Sequence, residues 1–265
     1  KTLDLPTGSH NIGVAAGAAF QIAVSSTGVV TTAFSGATVA DTTVRFKTVE
    51  VGFDPAGVAG WHLINNGPER SRTTGRFTLV PGLRYLLSPA YGAVFPFDVA
   101  PDGKVSTTFP GASVVDNTLT LHPVQITVDR GGVAGWHLVN YGPTLDQTTG
   151  QLKIVPGMQY LYSVAYGAQF WMTIAHDGTI STQLPAARGD YRRLAFTPTD
   201  IHVDTAGVQG WHQIHYGGAV HPTTGTLRVV AGLSYLFSPA YNAQMTMRVD
   251  DLGNVTTSLP ESVAG

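Results

Sequence analysis

Short alternations of apolar and polar residues run through the chain. "QLKIV" (151–155), "QYLYSV" (159–164) and "FWMTIA" (170–175) are rich in β-branched and aromatic residues, and so is "VRFKTVEVGF" (44–53). A period of two places every second side chain on one face of a strand. The breaks between these runs are turn chemistry: "VPGL" at 80, "VPGM" at 155 and "PDGK" at 101. In them Pro or Asp presets the bend and Gly accepts a positive φ. No stretch shows a sustained helical period with caps. The pattern predicts an all-β chain.

The pattern also repeats. "AGVAGWHLINNGP" at 56 returns as "GGVAGWHLVNYGP" at 131 and "AGVQGWHQIHYGG" at 206, an interval of 75 residues. Asp54, Asp129 and Asp204 keep that interval, as do Tyr85, Tyr160 and Tyr235, and Tyr91, Tyr166 and Tyr241. The opening residues belong to the same scheme, because "FQIAVSSTGVVTTAFSGATVAD" at 20 aligns with "FPFDVAPDGKVSTTFPGASVVD" at 95. The chain therefore reads as one repeat domain over 1–265: a partial unit at 1–40, then whole units at 41–115, 116–190 and 191–265. The half-unit at the start hints at a longer parent chain. About six or seven strands per unit gives over twenty in all. Both halves of a unit read as strand, turn, strand: "VQITVDRGGVAGWHLV" and "WMTIAHDGTISTQL". Cutting each unit there yields seven pieces, each close in length to a short propeller blade. A closed seven-module propeller-like ring is the leading expectation, since closure removes sheet edges. A linear array of small β-sandwiches is the alternative.

Composition narrows the function classes. Charged residues are only 12% of the chain and the net charge is −2. Without a basic field there is nothing to collect phosphates, which argues against a nucleic-acid partner. No run of about 18 apolar residues predicts a membrane span. With no cysteine there are no disulfides, thiolate metal sites or thiol nucleophiles. "KTLDLPTG" is not a signal peptide and suits a mature start or a trimmed chain. A surface rich in Thr, Ser, Gly and Ala points to an exported bacterial protein, secreted or at the cell surface.

The repeated Trp-His segment holds the candidate chemistry. Read as a strand, 61–66 puts Trp61, Leu63 and Asn65 on one face and His62, Ile64 and Asn66 on the other. Ile64, Val139 and Ile214 are always aliphatic, whereas Leu63 and Leu138 give way to Gln213. The imidazoles of His62, His137 and His212 are thus expected inside, bonded to a carbonyl or to the upstream aspartate. A lesser role is as ligand hydrogen-bonding groups. A site where the three imidazoles converge on zinc is a third possibility. The indoles of Trp61, Trp136 and Trp211 are expected on the wetter face, preceded by Gly60, Gly135 and Gly210 for close backbone approach. An exposed indole is a flat platform with one N–H donor. It suits the apolar face of a sugar ring, with Asn65, Asn140 and His215 beside it as hydrogen-bonding partners and Tyr91, Tyr166 and Tyr241 as walls. The competing expectation is that the indoles only pack one unit against the next.

Catalysis reads poorly. No paired carboxylates, G-x-S-x-G elbow, H-E-x-x-H, phosphate loop or dinucleotide fingerprint is present, so no catalytic residue, cofactor or metal is expected. The leading function is a multivalent lectin-like protein that binds carbohydrate or cell-surface glycan at up to three equivalent sites. The alternative is a non-catalytic structural or surface-interaction β-repeat module. A metal or hydrolase site on His202, His215 and His221 of the third unit is the remaining reading.

Overall fold

A computed structural model describes residues 2–258, and among them are 27 strands and no helix. The architecture is all-β, built from several small sheets with a repeat-like organisation. The chain divides into two compact units, one formed chiefly by residues up to His122, the other chiefly by those from Pro123 onward.

Two kinds of four-stranded sheet recur in each unit. The first is antiparallel. In the second compact unit it joins Leu138–Val139, Met158–Ala165, Ala168–Ile174 and Ile180–Thr182 in that order. The first compact unit repeats it with Leu63–Ile64, Leu83–Ala90, Ala93–Val99 and Val105–Ser106. The second kind is mixed. Val124–Asp129 lies between Gln151–Ile154, which is antiparallel to it, and Arg193–Phe196, which is parallel. In the first unit Val49–Asp54 sits likewise between Arg76–Leu79 and Thr118–Leu121. The parallel registers are equivalent: Thr118 opposes Gly52, and Arg193 opposes Thr127. In each compact unit, the second strand of a hairpin thus completes a sheet by pairing in parallel with a strand far earlier in the chain.

The strand-turn-strand reading holds for only one of the two stretches, 171–184 and not 124–139. Ala168–Ile174 and Ile180–Thr182 do form a hairpin across "HDG". Val124–Asp129 and Leu138–Val139 do not pair with each other; they belong to different sheets. The reason lies at Gly135, with φ 156°, where an added Cβ would stand 2.2 Å from the Val164 carbonyl oxygen. The backbone here is pressed against the antiparallel sheet, so the segment crosses to that sheet instead of turning back.

The core fills by alternation. Met158–Ala165 and Ala168–Ile174 send Tyr160, Tyr162, Phe170 and Met172 inward. Phe196 of the mixed sheet packs against Tyr162 and Phe170, with centroids 6.0 and 5.9 Å apart, joining the two sheets. Burying each such side chain contributes about 1.5–3 kcal/mol. Tyr85, Tyr160 and Tyr235 are buried at equivalent corners, and each hydroxyl donates to the carbonyl five residues back, at 2.8, 2.7 and 2.7 Å. That bond satisfies a phenol which would otherwise be costly to bury. Among the described residues no helix is long and apolar enough to cross a membrane, which does not bear on crossing by strands.

Candidate functional site

The Trp-His segment is shorter as a strand than its pattern predicts. Only Leu63–Ile64, Leu138–Val139 and Gln213–Ile214 are strand. The histidine before each takes a left-handed conformation, with φ of 43°, 44° and 41° at His62, His137 and His212. Non-glycine residues seldom sit there, because Cβ crowds the following carbonyl. This bend, together with the alternation, separates the two rings. His62 and His137 are buried, while Trp61, Trp136 and Trp211 remain 43%, 37% and 54% exposed.

Two of the three imidazoles are held by carbonyls. His137 Nε2 donates to the Val133 carbonyl at 2.9 Å, and its Nδ1 accepts from the Tyr162 hydroxyl at 3.3 Å. His212 Nε2 donates to the Val208 carbonyl at 2.8 Å. His62 has Leu87 where His137 has Tyr162, and its Nε2 is buried without a hydrogen-bond partner. Burial brings the pKa of His137 down to about 4, against the opposing pull of the Val133 carbonyl. Burial, with Arg70 nearby, does the same for His62, also to about 4. Both are neutral inner imidazoles near pH 7. The repeated aspartates do not support them. Asp54, Asp129 and Asp204 instead cap the backbone N–H groups of Ala56, Gly131 and Ala206, at 2.8, 3.1 and 2.8 Å.

The exposed aromatics gather in clusters. In the second compact unit Trp136 stacks on Tyr216 with centroids 4.0 Å apart, and Tyr166 meets it edge-on at 6.4 Å. His215 contacts Tyr166 at 5.1 Å and Tyr216 at 4.2 Å. Tyr91 lies 6.4 Å from Tyr141 and 6.3 Å from Trp171. Trp211 meets Tyr241 at 5.5 Å. Tyr91, Tyr166 and Tyr241 each occupy the first turn position between two antiparallel strands, followed by Gly92, Gly167 or Asn242 at positive φ. They are exposed because a two-residue turn leaves that side chain outside the sheet.

The first compact unit differs at one position. A backbone bond joins residue 16, 91 or 166 to the carbonyl of Asn65, Asn140 or His215. The first of these is Ala16 where the later copies carry tyrosine. Beside it lies an open groove of about 530 Å³, lined by Trp61, Leu63, Asn65, Asn66 and Glu69. Asn65 Oδ1 accepts from Ser88 Oγ at 2.5 Å, and Asn140 accepts likewise from Ser163. The carbonyl end of each amide is thereby committed, and the NH₂ group is the remaining donor.

No protein family, curated protein or solved structure matches this chain.

Among the described residues no set of three or more His, Cys, Asp or Glu side chains is placed to hold a metal ion. The three equivalent imidazoles do not converge on one, and His202, His215 and His221 do not assemble one. His221 Nδ1 accepts instead from the Thr224 N–H at 3.3 Å. Sequence reasoning missed Tyr141, Tyr216 and Trp171. The signal was present for the tyrosines: "NYGP" and "HYGG" place them in a turn, at φ of 52° and 53°. Trp171 alternates with the inward Phe170 and Met172 and so faces out.

Proposed function

We propose that this chain is a non-catalytic surface-interaction β-repeat module, acting outside the cell or at its surface, with its contacts made by the exposed aromatic clusters. One observation carries this reading: the same positions of successive repeats expose Trp136 and Trp211, and Tyr91, Tyr166 and Tyr241, on backbone fixed by turns and bends. Rigid aromatic side chains lose little conformational entropy on contact and supply most interface hot spots. The experiment is adhesion of the purified chain to cell envelopes and insoluble polysaccharide, compared with a Trp61, Trp136 and Trp211 triple alanine variant. Surface association is expected to fall at least about tenfold while the thermal midpoint stays near wild type. Turnover of a polysaccharide or ester substrate by the purified chain overturns the non-catalytic reading.

The groove beside Trp61 favours a second reading, carbohydrate binding. There an indole, an amide donor and open space left by Ala16 adjoin one another. This singles out one repeat rather than three equal lectin sites, since Tyr91 and Tyr166 stand where Ala16 lines the groove. Ala16→Tyr is expected to abolish glycan binding if this groove is the site. The finer architecture, a closed ring of seven modules or a linear array of β-sandwiches, is read out by small-angle scattering, which separates a disc from a rod of equal mass.

A further inference from the structure

The outer face of one antiparallel sheet differs from its two equivalents. In the sheet of Met158–Ala165, Ala168–Ile174 and Ile180–Thr182, Gln159 stands opposite Thr173, Thr173 opposite Ser181, and Leu161 opposite Trp171. Alternation puts these side chains, with Gln169, on the side away from the inward Tyr160, Tyr162, Phe170 and Met172. Leu161 is half-buried and the other five are exposed. None of the six is charged. The other copies of this face do carry charge. Arg84 and Asp98 occupy the places of Gln159 and Thr173 in the first compact unit, and Arg248 takes the place of Thr173 in the last repeat. Trp171 is equally particular to this copy, being Pro96 and Thr246 in the others.

An aromatic ledge borders this uncharged strip. The Ala90–Ala93 turn belongs to the same compact unit. Its Tyr91 ring is inclined 24° to that of Trp171, with centroids 6.3 Å apart. Trp171 also lies against the backbone of the turn, because a Cβ added at Gly92 would stand 2.5 Å from the indole. Tyr141 adjoins Tyr91 at 6.4 Å. All three rings are exposed, and a strand and two turns set their positions. The Asn140 N–H donates to the Leu161 carbonyl at 2.9 Å, so Asn140 flanks the same strip. Its Oδ1 is taken by Ser163, which leaves its NH₂ as a donor there.

Resting on the surface-interaction reading, we propose that this face binds an uncharged polysaccharide. The indole and phenol rings offer flat apolar surface to the C–H faces of pyranose rings. Gln159, Gln169, Thr173 and Ser181 each donate and accept hydrogen bonds, as sugar hydroxyls do. The strip holds no cation to pair with a uronate or sulfate group and no anion to pair with an amine. Covering such a charge without a partner costs free energy, so the face selects neutral glycans over charged ones. Its equivalents carry ionic side chains and lack the indole, so they miss both parts of this recognition. The face shares no residue with the groove beside Trp61.

Affinity electrophoresis through gels holding hydroxyethyl cellulose, galactomannan or polygalacturonate tests this. At least one of the two neutral polymers is expected to retard the wild type, with an affinity at least about tenfold above that for polygalacturonate. Trp171→Thr should weaken the retardation at least about tenfold. The last repeat carries threonine at the equivalent position 246, so the strand accommodates this change. Free passage through both neutral gels overturns the proposal, and so does equal retardation by polygalacturonate. Retardation lost in the Trp61, Trp136 and Trp211 triple alanine variant but kept in Trp171→Thr overturns it while leaving the surface-interaction reading in place. Retardation unchanged in both variants counts against the two together. A dimer in sedimentation velocity that Trp171→Thr dissolves also overturns it, by giving the face to a second copy of the chain.

Discussion

His62 and His137 carry the same ring in the same left-handed backbone setting, but only His137 has both nitrogens bonded to protein groups. The difference lies at both nitrogens: Tyr162, which meets His137 Nδ1, is Leu87 in the earlier copy, and His62 Nε2 lacks the counterpart of the Val133 carbonyl bond. Burial holds the His137 imidazole near a pKa of about 4, compared with 6.5 in the unfolded chain. The folded state therefore refuses a proton that the unfolded state accepts. Stability from this group is intact above about pH 6.5 and is lost as pH falls toward 4, by on the order of 2 kcal/mol. Urea unfolding at pH 7 and pH 4.5 should show this loss, and His137→Gln should flatten it. The inward imidazole and outward indole were legible from the constant aliphatic at 64, 139 and 214 beside the polar Gln213. The left-handed histidine was not, because histidine's enrichment in that conformation is too small to mark one position; the surrounding sheet imposes it.

At the level of elements, the glycine before each tryptophan decides which sheet the segment joins. An added Cβ would stand 2.2 Å from the Val164 carbonyl oxygen at Gly135, and 1.9 Å from that of Pro239 at Gly210. Neither backbone oxygen can yield as a flexible side chain would. Gly135→Ala and Gly210→Ala are each expected to destabilise by about 2–4 kcal/mol, read as a lower urea midpoint. The close approach at these glycines was legible in the sequence, as were the Asp-Gly turns and the tyrosine-led hairpins. The parallel strand pairs were not. Alternation reports which face of a strand is buried but not which distant strand lies beside it, so the two sheets of each repeat had no local signature.

Across the molecule, burial is uneven. Leu83–Ala90 and Met158–Ala165 bury nearly all their inward residues, whereas the equivalent Gly8–Ala15 strand is exposed or half-buried throughout. Arrays of repeats draw their stability from nearest-neighbour contacts. Hydrogen exchange should therefore be slowest in Met158–Ala165 and Ala168–Ile174, and fast in Gly8–Ala15 and the Ala37–Phe46 hairpin. Equal protection across these four elements would contradict that distribution of stability. The aromatic clusters became visible only at this scale, because Tyr91, Tyr141 and Trp171 come together from three distant stretches of chain.

Near-identical hairpins pose a hazard while the chain is folding, since each can settle on the wrong host strand. The two internal junctions carry different polar locks. At the first, Asn117 bonds the Gly103 carbonyl and the Val105 N–H at 2.9 and 3.1 Å; at the second, Arg193 grips Asp129. Thr118 stands where Arg193 does, so the first hairpin seated on Val124–Asp129 leaves Asp129 without its arginine. Small divergences between copies thus act as an address system, sorting interchangeable parts before they trap one another.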